Sequence, residues 1–138
     1  MVDIKIYSQL PREAMDIRIK VFVDEQGFVD DVDEIDAEAT HFVAYIGEKA
    51  IGTCRAYKQA DGAYIVGRIA VLRESRGQGI GSCLLNTAET NIKNIGGARV
   101  LIHAQLHAKG FYEFCGYTAF GDIEYEQGQP HIWLEKKI

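Results

Sequence analysis

Three glycines and two arginines crowd into Arg73-Glu-Ser-Arg76-Gly77-Gln-Gly79-Ile-Gly81, directly after the apolar run Ile69-Ala-Val71-Leu72. The order describes a strand, a basic glycine-rich turn and the opening of a helix. Its chemistry is anion capture. Glycines let the backbone bend tightly and approach a ligand, while a helix start turns unpaired N–H groups and a positive dipole end outward. The layout is that of a pyrophosphate cradle, with the N–H groups of Gly77, Gln78, Gly79, Ile80, Gly81 and Ser82 as its floor and Arg76 adding charge.

Other glycine loops fit less well. A P-loop ends in Gly-Lys-Ser/Thr, which occurs nowhere in the chain, and a dinucleotide fingerprint spaces its glycines Gly-x-Gly-x-x-Gly with an acid at the end of the next strand. Here the glycines run Gly-x-Gly-x-Gly and the next strand ends Leu101-Ile-His-Ala-Gln105. Further along, Gln105, Ala108, Tyr112, Gly116 and Tyr117 form a second ordered block. Four histidines, His41, His103, His107 and His131, are the candidates for proton transfer near neutral pH, and Glu25 is the leading carboxylate. Their spacing places no metal ligands together on one helix, so no metal is expected. Arg68 could meet an acidic group on a substrate or serve as an ordinary ion-pair partner.

Alternating elements must carry these groups. Asp3 to Tyr7 predicts a strand, and Ser8 a cap for a helix whose apolar positions include Met15, Ile19 and Phe22. His41 to Ile46, Ala50 to Tyr57 and Tyr64 to Val71 predict an antiparallel meander. A helix from Gly79 to Asn94 closes at Gly96-Gly97, and the strand Arg99 to His103 must then lie parallel to the strand before the helix. Ala108 to Cys115 predicts a short helix stopped by Gly116, followed by strands at Thr118 to Phe120 and His131 to Lys136.

The two blocks together resemble the GNAT superfamily of N-acetyltransferases, and Arg76-x-x-Gly79-x-Gly81 resembles its acetyl-CoA loop. Arg18-x-x-Val21-Phe-Val-x-Glu25-Gln26, His41 and Pro130-His131-Ile132 are similar to the ElaA-like branch of small bacterial acetyltransferases. The resemblance implies an α/β (α+β) fold: a mixed, mostly antiparallel sheet of six to seven strands, helices on both faces, and a splayed parallel pair at the acyl-CoA cleft. It implies acetyl-CoA as co-substrate, with the pantetheine arm along Ile69, Ala70 and Val71, the Val71 N–H as oxyanion donor, and Gln105, where the family usually has Asn, beside the CoA arm. Tyr112 takes the place of the family's general acid. His131 is the first choice for the base, ahead of Glu25, with His41 and Arg68 beside the acceptor. The activity implied is acetyl transfer to a primary amine of a small molecule or peptide by direct attack; an acyl-CoA-binding sensor without turnover is the alternative.

With 138 residues and 47% hydrophobic content, the chain suits one domain over 1–138. The net charge of −5 argues against a nucleic-acid partner, and without a long apolar run no membrane partner is expected. A cytoplasmic setting follows, with a homodimer left open. The acidity is local: eight of the 20 acids lie between Asp24 and Glu38, including Asp30 and Asp31, without an intervening Lys or Arg. That segment reads either as a solvated loop or as a negative rim that gathers a cationic amine. Cys54, Cys83 and Cys115 lack disulfide or zinc spacing and are expected as buried thiols.

Overall fold

A computed structural model describes residues 1–29 and 32–138. Seven strands form one sheet in the order β1-β2-β3-β4-β5-β7-β6. They are β1 (Val2–Tyr7), β2 (Thr40–Ile46), β3 (Lys49–Lys58), β4 (Tyr64–Val71), β5 (Arg99–Gln105), β6 (Thr118–Glu126) and β7 (Gln129–Lys137). All neighbours are antiparallel except β4 and β5, the pair joined by the helical crossover.

Alternation along β2 assigns its two faces. Phe42 and Ala44 join Ile80, Leu84, Leu85, Ala88 and Ile92 of helix α2 (Ile80–Asn94) in the main core. Val43 and Tyr45 point the other way, toward Ala14 of helix α1 (Arg12–Arg18), and Ile17 packs with Ala70 and Leu72. Helices therefore cover both faces. At the end of α2 the Gly97 N–H donates to the Ile92 carbonyl at 2.8 Å. A Cβ on Gly97 would press into the Ile92 and Tyr64 side chains, so any larger residue there would have to displace them.

The amino-terminal helix differs from the expectation. Ser8 caps nothing; α1 starts after Pro11, whose fixed φ of −77° suits a helix entrance and whose carbonyl accepts from the Met15 N–H at 3.2 Å. Its inward face is Ala14, Ile17, Arg18 and Val21, with Met15 exposed. From Ile19 to Glu25 the helix widens into a π-helical turn, and the Gln26 N–H donates five residues back to the Val21 carbonyl.

Within the acidic segment Asp33 and Asp36 turn into ion pairs, while Asp24, Glu25, Glu34 and Glu38 are exposed. Asp36, 5% exposed, accepts from Arg18 Nη1 and Nη2 at 2.8 and 2.9 Å and from Arg55 Nη1 at 2.9 Å. Asp33 accepts from Arg55 at 2.6 and 3.0 Å and from Arg68 at 3.4 Å. Burial by itself would raise the Asp36 carboxyl, but these guanidinium groups hold it well below the usual carboxylate range. Asp30 and Asp31 lie outside the described residues. Of the thiols, only Cys54 is buried; Cys115 is half-buried and Cys83 exposed on the outer side of α2.

Candidate active site

Strands β4 and β5 pair only at Tyr64↔Val100 and Ile65↔Leu101. Beyond those two rungs they part, and the opening between them is the cleft. A bulge sharpens the parting. Thr53 faces Ala70 and Arg55 faces Gly67, so Arg68 and Ile69 together oppose Cys54, with Arg68 in the left-handed region at φ 52°. Such a conformation is costly for a residue with a Cβ, and the Arg68 side chain it directs forms an ion pair with Asp33.

A cavity of about 190 Å³ fills the cleft. Its walls bring together Arg68 and Ile69 from β4, Gln105 from β5, Tyr112 from helix α3 (Lys109–Phe114) and His131 from β7. Burial raises the Tyr112 hydroxyl above its ordinary value, and no hydrogen bond engages that hydroxyl among the described residues. His131 Nδ1 lies 2.9 Å from the Gln129 carbonyl. A carbonyl only accepts, so Nδ1 carries a hydrogen, and in the neutral ring Nε2 is the nitrogen with the lone pair.

Glu126 at the end of β6 stands between two imidazoles. Its Oε1 is 3.2 Å from His103 Nδ1 and its Oε2 is 3.9 Å from His131 Nε2. His103 stacks on Trp133 with centroids 4.4 Å apart. Neither Glu126 nor Gln127 was found by sequence reasoning, because both reach the cavity only through the β6–β7 register, in which Glu124 faces His131 and Glu126 faces Gln129.

The glycine loop lies at the far end of β4. Gly77 and Gly79 have φ of 78° and 76°, and a Cβ on either would meet nothing within 4 Å. Gly79 is the cap residue of α2, and no side chain satisfies the N–H groups behind it. Gln78, Gly79 and Ser82 border a second hollow of about 430 Å³. Ile80 is buried in the core, which leaves only its backbone to face a ligand, and Gly81 sits beneath Phe111.

Two predicted site residues stand elsewhere. His41 is 1% exposed, with Nε2 at 2.9 Å from the Asp36 carbonyl, and burial lowers its affinity for a proton; it does not line the cavity. Glu25 is clamped by Arg76 at 2.6 and 2.8 Å, and that hydrogen bonding holds its carboxyl below the usual range.

Residues 12–138 match the family model described as the acetyltransferase (GNAT) domain. The chain belongs to the GNAT family. It is 32% identical over 128 residues to the uncharacterized N-acetyltransferase YjcF of Bacillus subtilis, covering 91% of each chain. The crystal structure of Escherichia coli ElaA superposes with a TM-score of 0.86 at 26% identity, covering 99% of both chains. A Bacillus subtilis acetyltransferase solved in complex with CoA shares the fold, with a TM-score of 0.75 at 18% identity over 100% of this chain and 99% of that one. As a GNAT acyltransferase, the protein uses a CoA-type cosubstrate. Its open β4 edge and glycine-rich loop, with no side chain capping the helix behind it, fit such a group.

Proposed function

We propose that this chain is a single N-acetyltransferase domain that moves an acetyl group from acetyl-CoA to a primary amine of a small molecule or peptide in the cytoplasm. One observation carries the reading: Tyr112 and His131 line the same cavity, beside the unpaired edge of β4. The pyrophosphate rests on the N–H groups of Gly77 to Ser82 at the start of α2. The pantetheine arm runs along Ile69, Ala70 and Val71 and pairs with their backbone as an added strand would.

Chemistry follows from that placement. The amine nitrogen attacks the thioester carbonyl and its proton passes to His131 Nε2. Glu126 then offsets the charge of the imidazolium. Carbonyl electrons move to oxygen, where the Val71 N–H donates. When the C–S bond breaks, the thiolate takes the Tyr112 proton. Burial keeps that hydroxyl protonated until the thiolate forms beside it, and the proton taken up by His131 returns through solvent to restore the phenol.

Incubating the purified protein with acetyl-CoA and a panel of primary amines tests the reading through release of free CoA. Turnover with at least one amine is expected. Binding of acetyl-CoA without release for any amine would overturn the enzyme reading in favour of an acyl-CoA sensor.

A further inference from the structure

Residues Glu25 to Val29 leave the π-helical turn and span the cleft, tied to both of its sides. At the loop side, Glu25 takes two hydrogen bonds from the Arg76 guanidinium, whose Nε donates to the Val71 carbonyl at 2.9 Å. At the end of β5, Gln26 Oε1 accepts from Gln105 Nε2 at 2.7 Å. On the far wall, the Phe28 ring meets His131 edge-on at 6.4 Å, and the Val29 N–H donates to Gln127 Oε1 at 2.8 Å. Phe28, Gln127 and His131 line the cavity, so this strap is itself part of the wall opposite the loop.

The commitment of Arg76 is informative. Three of its five donors are engaged by protein, two on a carboxylate and one on a backbone carbonyl, which fixes the orientation of the guanidinium. The pair is also partly exposed, with side-chain exposures of 40% and 21%, and such pairs add little to stability. What the geometry does supply is position. The Val71 carbonyl lies at the end of the open β4 edge and Arg76 begins the glycine turn, so one guanidinium fixes the loop to the strand that the cosubstrate arm must follow.

We infer that Glu25 is a positioning residue: through Arg76 it holds the glycine loop against the end of β4, and through the strap it sets the acceptor wall relative to that loop. Donor and acceptor are thereby brought to a common frame, which transfer between them requires. The inference rests on the loop as the pyrophosphate site, and CoA itself is the probe.

Calorimetric titration with CoA and amide hydrogen exchange at residues 27–29 test it on wild-type protein, Glu25→Gln and Glu25→Asp. Glu25→Gln is expected to weaken CoA binding roughly tenfold and to speed exchange at Gly27, Phe28 and Val29 several-fold, with the melting temperature within a few degrees of wild type. Glu25→Asp keeps the charge and should recover part of the affinity. Should Glu25→Gln not fold, Arg76→Lys carries the same expectation, since it keeps the cation and loses the fork. Tighter CoA binding in Glu25→Gln would make Glu25 a competitor for the loop and overturn the inference, as would unchanged affinity or unchanged exchange. Wild-type protein that binds no CoA would overturn the cosubstrate reading and this inference with it.

Discussion

Tyr112 is a phenol that burial keeps protonated and that no hydrogen bond engages among the described residues, which leaves its proton for an anion formed beside it. Replacing it with Phe removes the proton and little volume. Turnover of Tyr112→Phe should fall by up to about 10²-fold while acetyl-CoA affinity stays close to wild type, read from steady-state kinetics beside a binding titration. Glu126 makes a complementary prediction. In Glu126→Gln the charge facing His131 Nε2 is gone, so kcat should drop about tenfold with CoA binding unaffected. These two residues also show where a sequence can be read. Tyr112 stood out because it keeps a fixed distance from Gln105 and Gly116 along one stretch of chain. Glu126 matters only because a hairpin folds it onto an imidazole from another strand, and no local spacing records that.

At the scale of elements, the glycine turn rests on backbone geometry more than on side chains. Gly79 combines a left-handed φ of 76° with open space where a Cβ would stand, at the mouth of α2. Gly79→Asp would put a carboxylate there. CoA binding should be lost by calorimetry while the far-ultraviolet circular dichroism spectrum remains that of the wild type; retained binding would remove the loop from the site. The strand before this turn was readable to the residue, since Tyr64–Val66 and Ile69–Val71 are apolar and a turn ending in Gly62 precedes them. Helix α1 was not. Its inward face carries a buried arginine, and apolar periodicity cannot anticipate a core position filled by Arg18. The bulge at Arg68 was equally invisible, because a two-against-one register belongs to a strand pair and to neither strand alone.

Across the whole molecule, Asp36 joins elements that are far apart in sequence: Arg18 at the end of α1, Arg55 in β3 and, through Asp33, Arg68 at the cleft. Removing one partner of a buried ion pair is costly, so Asp36→Ala should lose about 3–5 kcal/mol in denaturant unfolding. The sign of the pH dependence follows from the depressed carboxyl. Its stabilisation is fully present above the ordinary carboxylate value of about 4 and is lost as the pH falls toward the lower folded value. Melting temperatures below that pH should therefore decline less steeply in Asp36→Ala than in wild type. The run of acids betrayed nothing of this, because its partners lie elsewhere in the chain. The parting of β4 from β5 has a further consequence. An exposed strand edge invites pairing with other polypeptides, and this fold carries such an edge in its interior. A visiting strand needs about 4.8 Å to its neighbour and room for side chains on alternating faces. Between β4 and β5 that edge is flanked by Tyr112, Gln105 and the strap, which leave a narrow cavity beside it. The geometry that admits a slender ligand is thus also a guard against aggregation, by which the protein keeps an open edge without offering it to other proteins.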